Sequence, residues 1–278
     1  MPELRTIDLH LGLSSEGVAL LRMGGWRGKR RQVIAQRSRP SSGVEGLAAE
    51  LGSLLSEHRC TGARTRVVLA DELTRAWMVT PPPNATRLAD CRAAVEARFQ
   101  ATYGDDVADW RLAVDWDLNA PFLACAIPNA LVEPLVGVAR EQGLRLIGIV
   151  PHFVAAWNGW STRLAAGEWL AVAQGRTLSL GVAGSRRRLG ALRRVTLDLA
   201  EDGRPGGLGP IVAREALRLG ISPPLAVRCC GDVSPDWLQE LHPGPRISRL
   251  DEESACSDTE AVDAGSSALR LASAGTVA

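Results

Sequence analysis

Between Gly167 and Val195 the chain has little choice of local structure. Two apolar runs, Trp169 to Ala173 and Thr177 to Ala183, flank Gln174-Gly175-Arg176. Glycine there supplies the positive φ that a tight hairpin needs. A second turn at Gly184-Ser185 leads into a third run, Leu189 to Leu197. Short runs separated by short turns predict a meander of three antiparallel strands. The N-terminal stretch repeats the pattern. Leu4 to Leu13 alternates apolar and polar residues, Ser14-Ser15-Glu16-Gly17 turns, Val18 to Met23 returns, and Gln32 to Gln36 reads as a third strand. A helical stretch and a further strand come after each meander, so the chain reads as two related halves.

Composition narrows the class. The chain has 278 residues, of which 46% are hydrophobic, enough for two lobes with separate cores. No run of about 18 apolar residues predicts a membrane span. The start, Met1-Pro2-Glu3-Leu4-Arg5, lacks the order of a signal peptide, so a cytoplasmic location is expected. The six cysteines form no CxxC pair, which argues against a zinc site or a disulfide framework. Charge is uneven. Six acids and one arginine follow Leu250, leaving that tail at −5 and the body at +6. Arginine runs stand at Lys29-Arg30-Arg31, Arg186-Arg187-Arg188 and Arg193-Arg194. Solvated hairpin tips and charge-guarded edge strands account for each run taken singly. Contact with anionic lipid head groups or an acidic partner is the sharper reading.

Along the chain, Gly43 to Arg59 has helical spacing with Ser42 as N-cap, and Thr65 to Ala70 is a strand ending at Asp71-Glu72. Thr74 to Val79 is a strand closed by Pro81-Pro82-Pro83, a fixed boundary. Thr86 to Tyr103 is helical, and Trp110 to Trp116 alternates as a half-buried strand. Next come a strand (Phe122 to Ile127), a helix opened by Pro128 and ended by Gly143, a strand (Leu144 to Val150), and a helix from Pro151 to Leu164. In the second half, Gly209 to Leu219 is a helix, Leu225 to Cys230 a strand leading to Gly231-Asp232, and Pro235 to Leu241 a short helix. The Ser-, Ala- and acid-rich tail reads as disordered, with Ala268 to Leu271 the one stretch suited to packing locally.

This duplicated layout resembles the actin-like (ribonuclease H-like) fold. In length and element order it is similar to the cytoplasmic assembly proteins of type IV pili and type II secretion, the PilM and GspL-cytoplasmic-domain families. The implied fold class is α/β (α+β), two-lobed, each lobe a mixed sheet with an antiparallel three-strand meander plus helices. The implied division is 1–165 as a first lobe with a small subdomain inserted at about 85–120, 166–247 as a reduced second lobe, and 248–278 as an acidic disordered tail.

The resemblance also says where to look for chemistry. Actin-like ATPases grip phosphates between two hairpin loops, each usually carrying Asp-x-Gly. Glycine lets backbone N–H groups approach phosphate, and the aspartate organises metal and water. Here Gly12 stands where the first aspartate belongs and Ser14 where its glycine belongs, while Asp8 is four residues too early. Gln174-Gly175-Arg176 is too short for the second loop, with Ala171 and Val172 near its expected aspartate, and the adenosine-side glycines reduce to Gly231-Asp232. The degenerate nucleotide-cleft candidates are therefore Asp8, Gly12, Ser14, Gln174, Gly175, Gly231 and Asp232. No catalytic residues and no metal ligands are expected. The four histidines are scattered, and His152 reads as a capping or partly buried residue. Asp115-Trp116-Asp117 puts two acids on one side of a strand, a weak cation site at best. No cofactor is expected, and ATP with Mg²⁺ is disfavoured.

In PilM-like proteins the cleft beside the inserted subdomain accepts the N-terminal cytoplasmic peptide of a bitopic inner-membrane partner. The resemblance makes Trp77, Trp110 and Trp116 the candidate anchors, with core packing the other reading of each. It implies a non-catalytic adaptor of a pilus or secretion platform that binds such a peptide, and an assembly ATPase as a second partner, with peripheral membrane contact. The alternative is a nucleotide-binding ATPase or kinase of the same superfamily, which needs an intact Asp-x-Gly loop. The arginine runs come without a recognition motif, so no nucleic acid is expected.

Overall fold

In the computed structural model, residues 8–24, 30–38, 46–58, 60–198, 205–239, 244–250 and 267–274 are described. They divide into two compact units. One holds the described parts of Met1–Thr74, Ile127–Ala156 and Cys256–Ala278. The other holds those of Arg75–Ala126 and Trp157–Ala255. Ser42, Lys29 of the first arginine run and residues 251–266 lie outside the described residues.

The first unit is built on a five-stranded sheet. β1 (Asp8–Ser14), β2 (Gly17–Gly24) and β3 (Arg30–Ser38) form the antiparallel meander. β4 (Arg64–Leu69) runs parallel to β1, and β8 (Arg145–Pro151) parallel to β4, giving the order β3-β2-β1-β4-β8. Strand alternation sends Leu9, Leu11 and Leu13 to one face. There they meet α1 (Leu47–Glu57), through Leu47, Leu51, Leu54 and Leu55, and α3 (Asn129–Glu141), through Leu131, Val132 and Leu135. The apolar spacing read from the sequence is the one buried. α1 starts later than expected, on Gly46 at φ 86°. After β8 the chain enters α4 (His152–Trp160), whose Phe153 N–H donates to the carboxylate of Asp71 at 3.0 Å. His152 is buried at that helix start.

The opposite face of the sheet overturns one expectation. Ser267–Ala274 is a helix, α7, and it lies on β1 and β2. Ala268, Leu269 and Ala272 pack on Ala19 and Leu21, and Leu271 is fully buried. The stretch expected to pack locally is thus part of the core. What admits it is Gly12. A Cβ there would stand 1.8 Å from the Ala268 carbonyl oxygen. His10, the next residue inward on this face, is buried, and that burial, with the charge of Arg66, lowers its pKa to about 4.

The second unit repeats the plan. β9 (Trp169–Gln174), β10 (Thr177–Ala183) and β11 (Leu189–Thr196) form a second meander. α5 (Leu208–Leu219) leads to β12 (Ala226–Gly231), parallel to β9, and α6 (Pro235–Leu238) leads to β13 (Arg246–Arg249), parallel to β12. The order β11-β10-β9-β12-β13 matches that of the first sheet element for element. β13 takes in residues 248 and 249, which the sequence assigned to the tail. Trp169, Leu178, Leu180, Val212, Val227 and Trp237 fill the core. Glu215 of α5 is fully buried and is contacted by Arg193, Arg214 and Arg218 at 3.0, 3.2 and 2.9 Å. Burial raises its pKa, but the hydrogen bonds from Arg193 and Arg214 outweigh that and hold it below the usual carboxylate range.

The same unit carries a three-stranded sheet, β5-β7-β6, made of β5 (Arg75–Val79), β7 (Phe122–Pro128) and β6 (Trp110–Val114). It is covered by α2 (Leu88–Tyr103) through Cys91, Val95 and Phe99. This subdomain starts before residue 85 and ends after 120, because its outer and central strands are β5 and β7.

Gly12→Ala is expected to destabilise the protein by about 2 kcal/mol or more, since backbone rather than a flexible side chain must yield. Gly24, in open space, is the control, and Gly24→Ala should cost under about 1 kcal/mol. Denaturant melts of the two variants check this.

Candidate functional site

In each unit the parallel fourth strand delivers an acid to the hairpin turn. The β1–β2 turn is Ser15-Glu16, between the paired Ser14 and Gly17. Ala70 extends the β1–β4 pairing by donating its N–H to Leu13 at 2.8 Å. The chain then winds through one 3₁₀ turn, Asp71–Leu73, and Glu72 meets the hairpin. The Ser15 N–H donates to Glu72 Oε1 at 2.8 Å, and the Ser15 hydroxyl donates to the same oxygen. Ser14 is buried, and its Oγ accepts from the Glu16 N–H at 3.3 Å.

The β9–β10 turn is Gly175-Arg176, with Gly175 at φ 51°. Asp232 extends the β9–β12 pairing by donating its N–H to Ala173 at 2.8 Å, and its Oδ2 accepts the Gly175 N–H at 2.7 Å. Gly231 is required here. It sits at φ 88°, and a Cβ would stand 2.2 Å from the Ala173 carbonyl oxygen. In both units a turn N–H of the kind that can hold an anion is taken by a carboxylate 57 residues downstream. The acids are not at aligned positions: Asp232 directly follows β12, whereas Glu72 lies three residues past β4.

Of the nucleotide-cleft candidates, Gln174, Gly175, Gly231 and Asp232 come together at one turn, and Ser14 stands at the other. Gly231-Asp232, read as the remnant of an adenosine-side motif, instead closes the hairpin of its own sheet. Gly12 lies under α7. Asp8 is at the far end of β1, about 20 Å from Ser14 by strand rise, and faces Arg64 at 3.8 Å. Glu72 was missed because in sequence it only ends a strand; the recurring 57-residue separation was the available signal.

The three tryptophans separate. Trp77 is only 5% exposed and packs on Phe99 and Tyr103 at 5.2 and 5.8 Å, so it belongs to the core and is not a partner anchor. Trp110 is half-buried, 5.5 Å from Phe99, with the Arg75 guanidinium 5.4 Å from its ring. Trp116 is 39% exposed beside Phe122. β6 ends at Val114, so Asp115, Trp116 and Asp117 lie in a loop rather than along a strand. Asp117 Oδ1 accepts the N–H groups of Asn119 and Ala120, and its Oδ2 pairs with Arg188. The Asn119 hydrogen bond, with Arg188, holds its carboxyl below the usual range despite some burial. Asp117 is therefore committed to its own chain, not to a cation. Arg188 follows a turn in which Arg186 and Arg187 both take positive φ, 57° and 61°. Among the described residues no group of three or more His, Cys, Asp or Glu could hold a metal. Among them, too, no helix is long and apolar enough to cross a membrane.

No family model matches the chain, and no curated protein matches it by sequence. Solved structures do. A Bacteroides thetaiotaomicron protein with an actin-like ATPase fold and unknown function is similar at TM-score 0.63 and 12% identity, over 89% of this chain and 92% of that one. A chain of the PilM–PilN type IV pilus biogenesis complex is similar at TM-score 0.61 and 17% identity, over 98% and 99%. The cytoplasmic domain of EpsL, an inner-membrane component of the Vibrio cholerae type II secretion system, is similar at TM-score 0.52 and 13% identity, over 96% and 93%. The fold is thus actin-like, and the resemblance to PilM and to the GspL-type cytoplasmic domain holds at the level of structure.

Asp232→Ala should cost about 1.5–3 kcal/mol, the value of a hydrogen bond to a charged group, and should increase exchange at the Gly175 amide. Hydrogen exchange on the variant checks both; an unchanged Gly175 amide contradicts the assignment.

Proposed function

We propose that this protein is a non-catalytic adaptor of a pilus- or secretion-type assembly platform, working on the cytoplasmic side of the inner membrane. It binds a short cytoplasmic peptide of a bitopic membrane protein, and an assembly ATPase is a second partner. The observation that carries the non-catalytic part is the pair of hairpin turns whose N–H groups are occupied by Glu72 and Asp232. With them goes the lack of an acid at Gly12, Ala171 or Val172. ATP and Mg²⁺ are not needed in this reading. The fold likeness to a chain of the PilM–PilN complex and to EpsL supports the platform.

Trp116 is the proposed peptide anchor. It is the exposed member of the three indoles, and its loop is pinned at Asp117 by Arg188. A pinned loop loses little entropy when a ligand arrives. Trp110, half-buried against Phe99 at the start of β6, is the second candidate. The experiment is titration with synthetic N-terminal peptides of bitopic proteins encoded beside this one. Trp116→Ala should weaken binding by about 2 kcal/mol, roughly thirtyfold, with the melting temperature unchanged. Peptide binding that ignores Trp116→Ala removes this anchor, and the absence of binding by any such peptide removes the adaptor reading.

A further inference from the structure

The segment of the second unit that carries α5 and the approach to β12 concentrates positive charge and aliphatic surface. From Arg204 to Arg228 the sequence has four arginines and a single acid, Glu215. That acid is buried and shared by Arg193, Arg214 and Arg218, whose side chains remain 38%, 48% and 56% exposed. Three guanidiniums on one carboxylate leave two positive charges in excess. Glu215 also holds the three planar heads in place, so little order is lost when they meet an anion.

Aliphatic side chains stand among them. Leu217, between Arg214 and Arg218 on α5, is 81% exposed. Arg214, Leu217 and Arg218 fall at the three- and four-residue spacing of one helix face. Gly220 closes the helix at φ 67°, and the Ile221 N–H donates to Ala216 at 3.1 Å, which holds Ile221 against the last turn. Leu225, 87% exposed, immediately precedes β12, and its carbonyl accepts the N–H of Arg246, itself exposed.

We propose that this segment, with Arg193 and Arg246 to either side, is a peripheral contact for an anionic lipid surface. Arg193, Arg214, Arg218 and Arg246 meet the head groups, and Leu217, Ile221 and Leu225 enter the interface. Charge complementarity selects an anionic surface, since the Arg204 to Arg228 stretch has no exposed acid, and Glu168, beside Arg228 and Arg246, is mostly buried and paired with Arg228 at 3.6 Å. Exposure selects lipid over a protein groove. Side chains this exposed protrude, and protrusions rimmed by arginine suit a deformable interface better than a partner that must find a pocket.

Lipid contact goes beyond peptide binding and is tested without any protein partner, so the two readings fail separately. The full-length protein is sedimented with phosphatidylcholine vesicles, with and without phosphatidylglycerol, at low and high salt. Phosphatidylglycerol should raise the bound fraction about tenfold or more at low salt, and salt should reverse it. The double variant Leu217→Ser, Leu225→Ser keeps every arginine and touches only exposed positions; it should lose about fivefold or more of that binding with its circular dichroism unchanged. Equal binding to both vesicle types, binding to neither, or a double variant that sediments like the parent overturns the proposal.

Discussion

The parallel pairing of the fourth strand with the first strand of each meander, β4 on β1 and β12 on β9, is the constraint on which the rest depends. It runs the chain out of the sheet beside the tip of the hairpin. The residues just past the strand must then answer the N–H groups that the turn exposes. In this chain a carboxylate does so both times. Because the acids stand at different offsets from their strands, the likeness lies in the outcome rather than in an aligned residue. A turn amide satisfied by a covalently tethered acid faces an anion of very high local concentration, and an incoming phosphate has to displace it.

The two sheets share order and direction throughout, but their other surroundings differ. The first accepts α7 on one face because Gly12 removes the side chain that would block it. The glycine that replaces an acid at the expected phosphate loop therefore has a structural use of its own. In the second unit, Asp117 and Arg188 join the loop after β6 to the connection between β10 and β11. That pairing fixes the loop bearing Trp116, the exposed indole of the small sheet.

Much of the fold was legible in the sequence. The meanders announced themselves through short apolar runs and glycine turns; helical spacing named Leu47, Leu51, Leu54 and Leu55 of α1 and Cys91, Val95 and Phe99 of α2, which are buried, but also Leu88, which is exposed. α7 was not legible as core, because a small, Ser- and Ala-rich segment shows its partner only when Gly12 is seen to leave room. β13 was missed because four residues with two arginines, Arg246 and Arg249, carry no alternation signal. Trp77 looked like an anchor since sequence cannot separate an indole stacked on Phe99 from one facing a partner. Of the candidate site, the sequence showed the two hairpin turns. The site was not legible in its contacts, since a hydrogen bond from Ser15 to Glu72 depends on strand order.

In the proposed function these turns serve the fold and not a nucleotide. Isothermal titration of the full-length protein with ATP and Mg²⁺ tests it most directly. No saturable heat is expected at millimolar nucleotide, because Glu72 and Asp232 already hold the turn amides. A micromolar dissociation constant would contradict it.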